Sequence, residues 1–332
     1  MNILVFRLSA LGDVAMTIPV IYSVARSYPQ HSFIVVTSAF ASRLFIGKPK
    51  NVDVVGLSKW ESKGFFGTFR LIKRLKTLPI DAVADLHNVL RSWLVDAYFR
   101  LRMKPVAMLD KHRSERRAIL HDHSRVATPF VQRYFEVFAR LGLSAQPQFT
   151  SVFTAHLPEV PAGLPAKANE EWVGVAPFAR YRTKTYDYSQ MQEVITLLSA
   201  RPRSRVFLFG ARGKEEKLLR QWAAKMENVF VVAGRLQLEE ELALMAHLDV
   251  ILTMDSANMH MASLVGTRAV TIWGGTTPAC GFLGHEQQIS DALTAGLSCQ
   301  PCSIAGSDRC PLGHMQCMQA LSPQVIVDRI NT

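Results

Sequence analysis

A chain of 332 residues is long for one hydrophobic core and comfortable for two domains of roughly 160 residues each. Its 48% hydrophobic and 20% charged residues exclude a disordered or collagen-like chain, and no apolar run approaches the ~18 residues a membrane span needs. Thirty-eight Lys and Arg against 27 Asp and Glu leave a net charge of +11, which points to an acidic partner: nucleic acid, an anionic membrane surface or a phosphorylated substrate.

The amino terminus, MNILVFRLSALGD, meets polar residues too soon after its apolar run to be a signal peptide. Ile3 to Leu8 therefore reads as a first strand, followed by a helix over Ile18 to Ser27 and a strand over Ser32 to Thr37. The same βαβ rhythm continues: strand Val52 to Leu57, basic amphipathic helix Gly67 to Leu78, strand Ala82 to Asp85, helix Val89 to Arg100. Basic residues then concentrate between Lys104 and Arg125, including Arg113, Arg116 and Arg117, before a helix over Phe130 to Leu141.

A break follows. Ser144 to Asn169 carries Pro147, Pro158, Pro161 and Pro165 with no helical period, as an interdomain crossing would. The boundary is placed near Pro165, with residues 1–160 as one domain and 161–332 as the other. The second half repeats the alternation: strands at Trp172 to Ala176, Val206 to Phe209, Val229 to Val232, Val250 to Met254 and Arg268 to Trp273. Helices over Met191 to Ala200, Lys214 to Met226, Glu239 to His247 and Met259 to Val265 separate them. The pattern predicts two doubly wound parallel α/β domains, whose ligands sit beyond the carboxyl ends of the strands.

Three loops at such ends carry chemistry. Ser9 to Asp13 follows the first strand; Gly12 suits a tight turn, and Asp13 reads either as a helix N-cap or as a general base. The loop lacks the three glycines of a dinucleotide fingerprint. Pro19 predicts that the next helix kinks or begins nearer Thr17. The second loop, Asp255, Ser256 and Ala257, opens a helix that closes near Gly266, and a helix N-terminus entered through small residues suits a diphosphate. Its bland reading is a plain cap, and His260, one turn in, reads as either a packed core histidine or a ligand contact. The third, Pro177 to Tyr186, offers Lys184 to neutralise charge growing on a leaving diphosphate, against the alternative of a solvated surface lysine. Gly210 to Gly213 and Gly234 to Leu236 add turns on the same rim.

Taken in order, R-L-S-A-L-G-D, A-P-F-A with a lysine shortly after, L-F-G, A-G-R-L-Q-L-E-E and M-D-S-A-N-M-H-M-A resemble glycosyltransferase family 9, the lipopolysaccharide heptosyltransferase group, from Arg7 to about Pro278. The resemblance implies a GT-B fold, two Rossmann-like domains facing across a cleft, with acceptor on residues 1–160 and nucleotide sugar on 161–332; the tail is left free to pack back on the first domain. It implies an inverting, metal-independent transfer of a heptose or related sugar from an ADP-sugar to the Kdo–lipid A inner core, with no cofactor. Asp13 and Lys184 would be catalytic; Thr183, Gly210, Glu239, Asp255, Ser256, Ala257 and His260 would hold the donor. Ser9, Gly12, Arg113, Arg116 and Arg117 would hold the acidic acceptor, guanidinium forks suiting carboxylate and phosphate. Two departures bear on the sugar: Ala257 stands where the family often has glycine, and Phe178 to Tyr181 replaces a serine- or threonine-rich segment.

Lys63, Arg70, Lys73, Arg74 and Lys76 are expected to face anionic headgroups, making the protein cytoplasmic and peripheral on the inner membrane. Five cysteines, an odd number with no secretory leader, favour a reducing compartment. Cys299, Cys302, Cys310 and Cys317 form C-x2-C-x7-C-x6-C, in which only the first pair has metal-knuckle spacing, so thiols rather than a zinc site are expected. Two other readings stay open: a GT-B enzyme of another nucleotide sugar, such as an epimerase, and a non-catalytic basic protein on acidic lipid or nucleic acid. The second has charge behind it but no nucleic-acid motif.

Overall fold

The computed structural model describes residues 1–62 and 64–332; Lys63, one of the basic residues expected to face headgroups, lies outside them. The chain divides into two compact units, one of Met1–His112 with Thr128–Thr154 and one of Arg113–Ala127 with Ala155–Thr332. The elements from the amino terminus are β1 (Asn2–Phe6), α1 (Leu11–Ser27), β2 (Ser32–Ser38), β3 (Val52–Leu57), α2 (Lys59–Ser62), α3 (Gly64–Leu75), β4 (Ala82–Asp85), α4 (Leu90–Arg100) and β5 (Val106–Met108). Next come α5 (Arg113–Ile119), which belongs to the second unit, and α6 (Phe130–Ala139), which returns to the first.

The first unit carries a five-stranded, all-parallel sheet in the order β3-β2-β1-β4-β5. Its central strands are buried on both faces: Ile3 to Phe6 and Ala82 to Asp85 are sealed from solvent, as strands covered by helices on each side must be. α1 starts seven residues before the Ile18 expected for it and runs unbroken through Pro19. Proline removes one backbone hydrogen bond and costs about 3 kcal/mol in a helix interior. Here every residue from Val14 to Ala25 is buried, and the Thr17 and Ser23 hydroxyls donate to the carbonyls of Val14 and Pro19, both at 2.7 Å. Packing on all sides thus offsets the proline, and Gly12 lies within the first turn of this helix rather than in a tight turn.

The second unit continues with β6 (Glu171–Ala176), α7 (Tyr188–Ser199), β7 (Ser204–Leu208), α8 (Lys214–Ala223), β8 (Val229–Val231), α9 (Leu238–His247), β9 (Val250–Met254), α10 (Ala257–Val265), β10 (Ala269–Trp273), β11 (Ala292–Thr294) and α11 (Pro323–Asn331). Its six parallel strands run β11-β10-β9-β6-β7-β8, so the order reverses between β6 and β9 just as it does between β1 and β4 in the first sheet. Each sheet therefore has a topological switch point, where the loops after the two central strands diverge and open a crevice. α10 ends as expected at Gly266, whose φ of +75° and N–H to the Ala262 carbonyl make a left-handed cap.

Two boundaries differ from expectation. Phe149 and Val152 are buried, and the first unit extends to Thr154, so the chain leaves it before the proline-rich crossing near Pro165. The basic segment Arg113–Ala127 packs with the second unit, where the Ala127 N–H reaches the Ala279 carbonyl at 2.8 Å and Arg116 lies 5.9 Å from the centre of the Phe282 ring. Within the second unit the tail helix α11 lies against α7. It is clasped by Asp291, which receives Arg268 through Nε and Nη2 at 2.9 and 2.7 Å and Arg329 Nε at 2.7 Å.

Candidate active site

In the second unit the loops after β6 and β9 meet at the switch point. Lys184, in a single 3-10 turn after β6, places Nζ 2.6 Å from Asp255 Oδ2, directly after β9. The same oxygen accepts the Thr276 hydroxyl at 2.6 Å, bringing in the loop after β10. Asp255 is 4% exposed and Lys184 14%, so an ammonium, a carboxylate and a hydroxyl sit desolvated beside the start of α10. Ser256 is the N-cap of that helix; its hydroxyl pairs with Thr253 at 3.1 Å rather than capping, which leaves the first backbone N–H groups of α10 without a side-chain cap.

The other expected donor residues occupy the same rim. Gly210 lies two residues past the end of β7, and a Cβ there would stand 3.2 Å from Leu219 and the Phe178 ring, so tight packing calls for glycine. Glu239 stands in the first turn of α9, after β8, and His260 is buried one turn into α10. Thr183 is fully engaged: its N–H and hydroxyl donate to the Ser307 carbonyl at 3.1 and 2.7 Å, and its hydroxyl accepts the Ser307 N–H at 2.9 Å. Its visible work is to hold the Lys184 turn. Gly274 and Gly275 make this possible, since a Cβ on Gly274 would fall 2.0 Å from Met318 Sδ and 2.5 Å from the Thr183 carbonyl. Thr276 and the glycine pair were not singled out from sequence, although W-G-G-T-T at a strand's carboxyl end was a readable signal.

In the first unit, Asp13 is the third residue of α1, not its N-cap; Ala10 is, and Asp13 Oδ2 accepts the Ala10 N–H at 3.0 Å. The same oxygen lies 2.5 Å from Arg7 Nη2. Arg7 is buried and donates through Nη1 to the Leu86 carbonyl at 2.7 Å, so the β1 and β4 loops are tied at the switch point. Burial opposes its charge, but Tyr134, Asp13 and Asp85 outweigh that and keep it protonated. His87 stands beside these groups; burial, Arg7 and Lys111 push its pKa down to about 3, so it is neutral. Ser9 is exposed and Gly12 half-buried at the same helix start. Sequence reading missed Arg7, Asp85 and His87, although D-L-H-N ends a strand and Arg7 stands in the recognised motif.

The structure does not put the acceptor candidates in one unit: Ser9 and Gly12 are on the first, Arg113, Arg116 and Arg117 on the second. Arg116 is half-buried and Arg113 and Arg117 are exposed. The five cysteines are free, and among the described residues no group of three or more His, Cys, Asp or Glu is arranged to hold a metal ion. No helix among the described residues is long and apolar enough to cross a membrane.

Two Rossmann-like units, each with its polar cluster at the switch point, make up a protein of the GT-B fold. Residues 68–310 match the model of glycosyltransferase family 9 (heptosyltransferase), and the chain belongs to that family. It is similar to lipooligosaccharide heptosyltransferase 2 of Campylobacter jejuni, 21% identical over 99% of this chain and 98% of the relative. Lipopolysaccharide heptosyltransferase 1 of Pseudomonas aeruginosa is 25% identical over 91% of this chain and 86% of its own. Among solved structures, the E. coli heptosyltransferase WaaC with ADP superposes with a TM-score of 0.70 at 16% identity, covering 100% of this chain and 99% of that one.

Proposed function

We propose that this enzyme transfers a heptose from ADP-heptose to the acidic Kdo–lipid A inner core in lipopolysaccharide biosynthesis, with inversion and without a divalent metal. The observation that carries the reading is the Lys184–Asp255–Thr276 cluster beside the uncapped start of α10. An ammonium held in place by a buried carboxylate, next to the positive end of a helix dipole, is a preorganised receptor for a diphosphate. ADP is the ligand solved with the E. coli relative, and lipopolysaccharide or lipooligosaccharide is in the names of the others.

In this mechanism Asp13 takes the proton of the acceptor hydroxyl as that oxygen attacks the anomeric carbon. The C–O bond to the diphosphate breaks on the opposite face, and ADP leaves with its new charge held by Lys184 and the α10 N–H groups at Ser256 and Ala257. Glu239 holds the nucleoside, Asp255 and His260 orient the sugar, and Gly210 and Thr183 shape the rim. Ser9, Gly12, Arg113, Arg116 and Arg117 receive the acceptor's carboxylates and phosphates. Peripheral attachment to the inner membrane is supported by exposed Trp60, Phe69, Leu90, Trp93 and Leu94 on and beside α2 to α4, interspersed with exposed Arg70, Lys73 and Arg74. A screen of nucleotide sugars by thermal shift, followed by transfer to Kdo–lipid A in EDTA, tests the reading. Stabilisation by ADP-heptose and chelator-resistant transfer are expected; stabilisation by a UDP- or GDP-sugar alone would overturn it.

A further inference from the structure

Behind the Arg7–Asp13 pair lie two buried acids that the proposed chemistry does not use. Asp85, the last residue of β4, is 0% exposed, and its Oδ1 accepts the N–H groups of His87 and Asn88 at 2.8 and 3.0 Å. Asp96, on α4, is 2% exposed; its carboxyl lies against Asp85, and among the described residues no donor reaches either of its oxygens. The titratable groups around the pair and the neighbouring His87 are Arg7 just after β1, Arg91 and Arg100 from α4, Asp13 from α1, Tyr134 from α6 and Lys111 before α5, and His87 itself is neutral. Two desolvated carboxylates in contact cannot both keep a full charge. Burial and the charge of Asp85 raise the pKa of Asp96 well above the carboxylate range, the direction that leaves a proton on it.

The turn that Asp85 holds reaches the catalytic edge. Leu86 carbonyl accepts Arg7 Nη1 at 2.7 Å, and Arg7 Nη2 grips Asp13 at 2.5 Å. On its far side Lys111 Nζ donates to the Asn88 carbonyl at 2.8 Å, and Asn88 Nδ2 to the Leu109 carbonyl at 2.6 Å. Among the described residues both carboxyl oxygens of Asp96 are buried without a donor, and a proton on that carboxyl would find Asp85 as its acceptor.

We infer that Asp96 and Asp85 share one proton and act together as positioning residues: the protonated Asp96 fixes Asp85, Asp85 fixes the 86–89 turn, and that turn sets the Arg7 clamp that aims Asp13. The inference rests on the reading of Asp13 as the base. It predicts that Asp96→Asn, whose amide donates permanently, keeps kcat within about threefold, while Asp96→Leu, which cannot donate, loses about ten- to a hundredfold, the scale of an ångström of misalignment. KM for the donor and ADP affinity should hold in both, because the groups proposed to bind ADP are on the other unit. Independently of any substrate, the native-minus-Asp96→Asn infrared difference spectrum at neutral pH should show the carbonyl stretch of a protonated carboxylic acid, the band of the protonated fraction of Glu241 being common to both proteins and cancelling.

Absence of that difference band overturns the shared proton even where Asp96→Leu fails to fold. Equal damage from Asn and Leu, full activity in Leu, or a kcat loss matched by lost ADP binding would each overturn the positioning role. Asp13→Asn, assayed alongside, separates the two ideas: full activity there removes the base, whereas an inactive Asp13→Asn with a fully active Asp96→Leu removes only the positioning pair.

Discussion

Replacing Lys184 by alanine strips the ammonium from Asp255 and leaves a carboxylate that is 4% exposed with the Thr276 hydroxyl at 2.6 Å as its remaining side-chain donor. Breaking a buried ion pair from one side costs about 3–5 kcal/mol. With Lys184 14% exposed and Thr276 still in place, about 2–3 kcal/mol is the expected loss of stability for the second unit. For a unit of this size that lowers Tm by about 4–12 °C. In an Asp255→Asn background the same Lys184→Ala change should cost under about 1 kcal/mol, since no buried charge is then orphaned. Calorimetric ADP titration gives the functional half: loss of one charge-assisted contact weakens Kd by roughly ten- to a hundredfold. Equal destabilisation in the two backgrounds would refute the desolvated pair, and an unchanged ADP affinity would remove Lys184 from the mechanism.

Other outcomes follow from the same geometry. Asp13→Asn keeps the fold and ADP affinity and cuts turnover by roughly two to four powers of ten, measured as sugar transfer at saturating donor. Glu241 on α9 has its pKa pushed up to about 7 by burial, so the native state favours its acid form. That contribution is fully present below the unfolded value and is lost as pH rises through about 7. Glu241→Gln should therefore add about 2 kcal/mol of unfolding free energy near pH 8 and nothing near pH 4.5; a gain at both values would contradict the cause. Gly274→Ala drives a methyl into Met318 and the Thr183 carbonyl, and should lose about 1–3 kcal/mol together with ADP affinity, read by thermal shift with and without nucleotide. Trp93→Ser with Leu94→Ser should reduce co-flotation with phosphatidylglycerol vesicles while leaving ADP binding intact; unchanged flotation would count against that face as the membrane contact.

The alternation of strands and helices was legible because each strand is a solid apolar run and each helix has its own stripe, both local properties. The strand order was not, and the Lys184–Asp255 pairing depends on it: these residues follow β6 and β9, which are neighbours because the strand order reverses there. Asp13 was legible as a helix start but not as the third residue of α1, because Pro19 argues locally for a break that burial of Val14 to Ala25 overrides. Short β5 and β11 and the helix α5 fell below any periodic signal. The allegiance of Arg113–Ala127 to the second unit is set by contacts with Ala279 and Phe282, far along the chain, and a basic segment carries no apolar stripe to announce such a partner.

The link between Thr183 and Ser307 makes the cysteine-bearing tail a moulding for the Lys184 turn: three hydrogen bonds join them, and the Gln300 amide adds two more to the carbonyls of Trp273 and Gly274. Chimeras that swap this tail between related enzymes will thus carry over the shape of the loop that presents Lys184, although no tail residue is part of that loop. An affinity tag or reporter inserted near Ser307 would be felt at the opposite end of the loop, as a lysine that no longer finds its carboxylate.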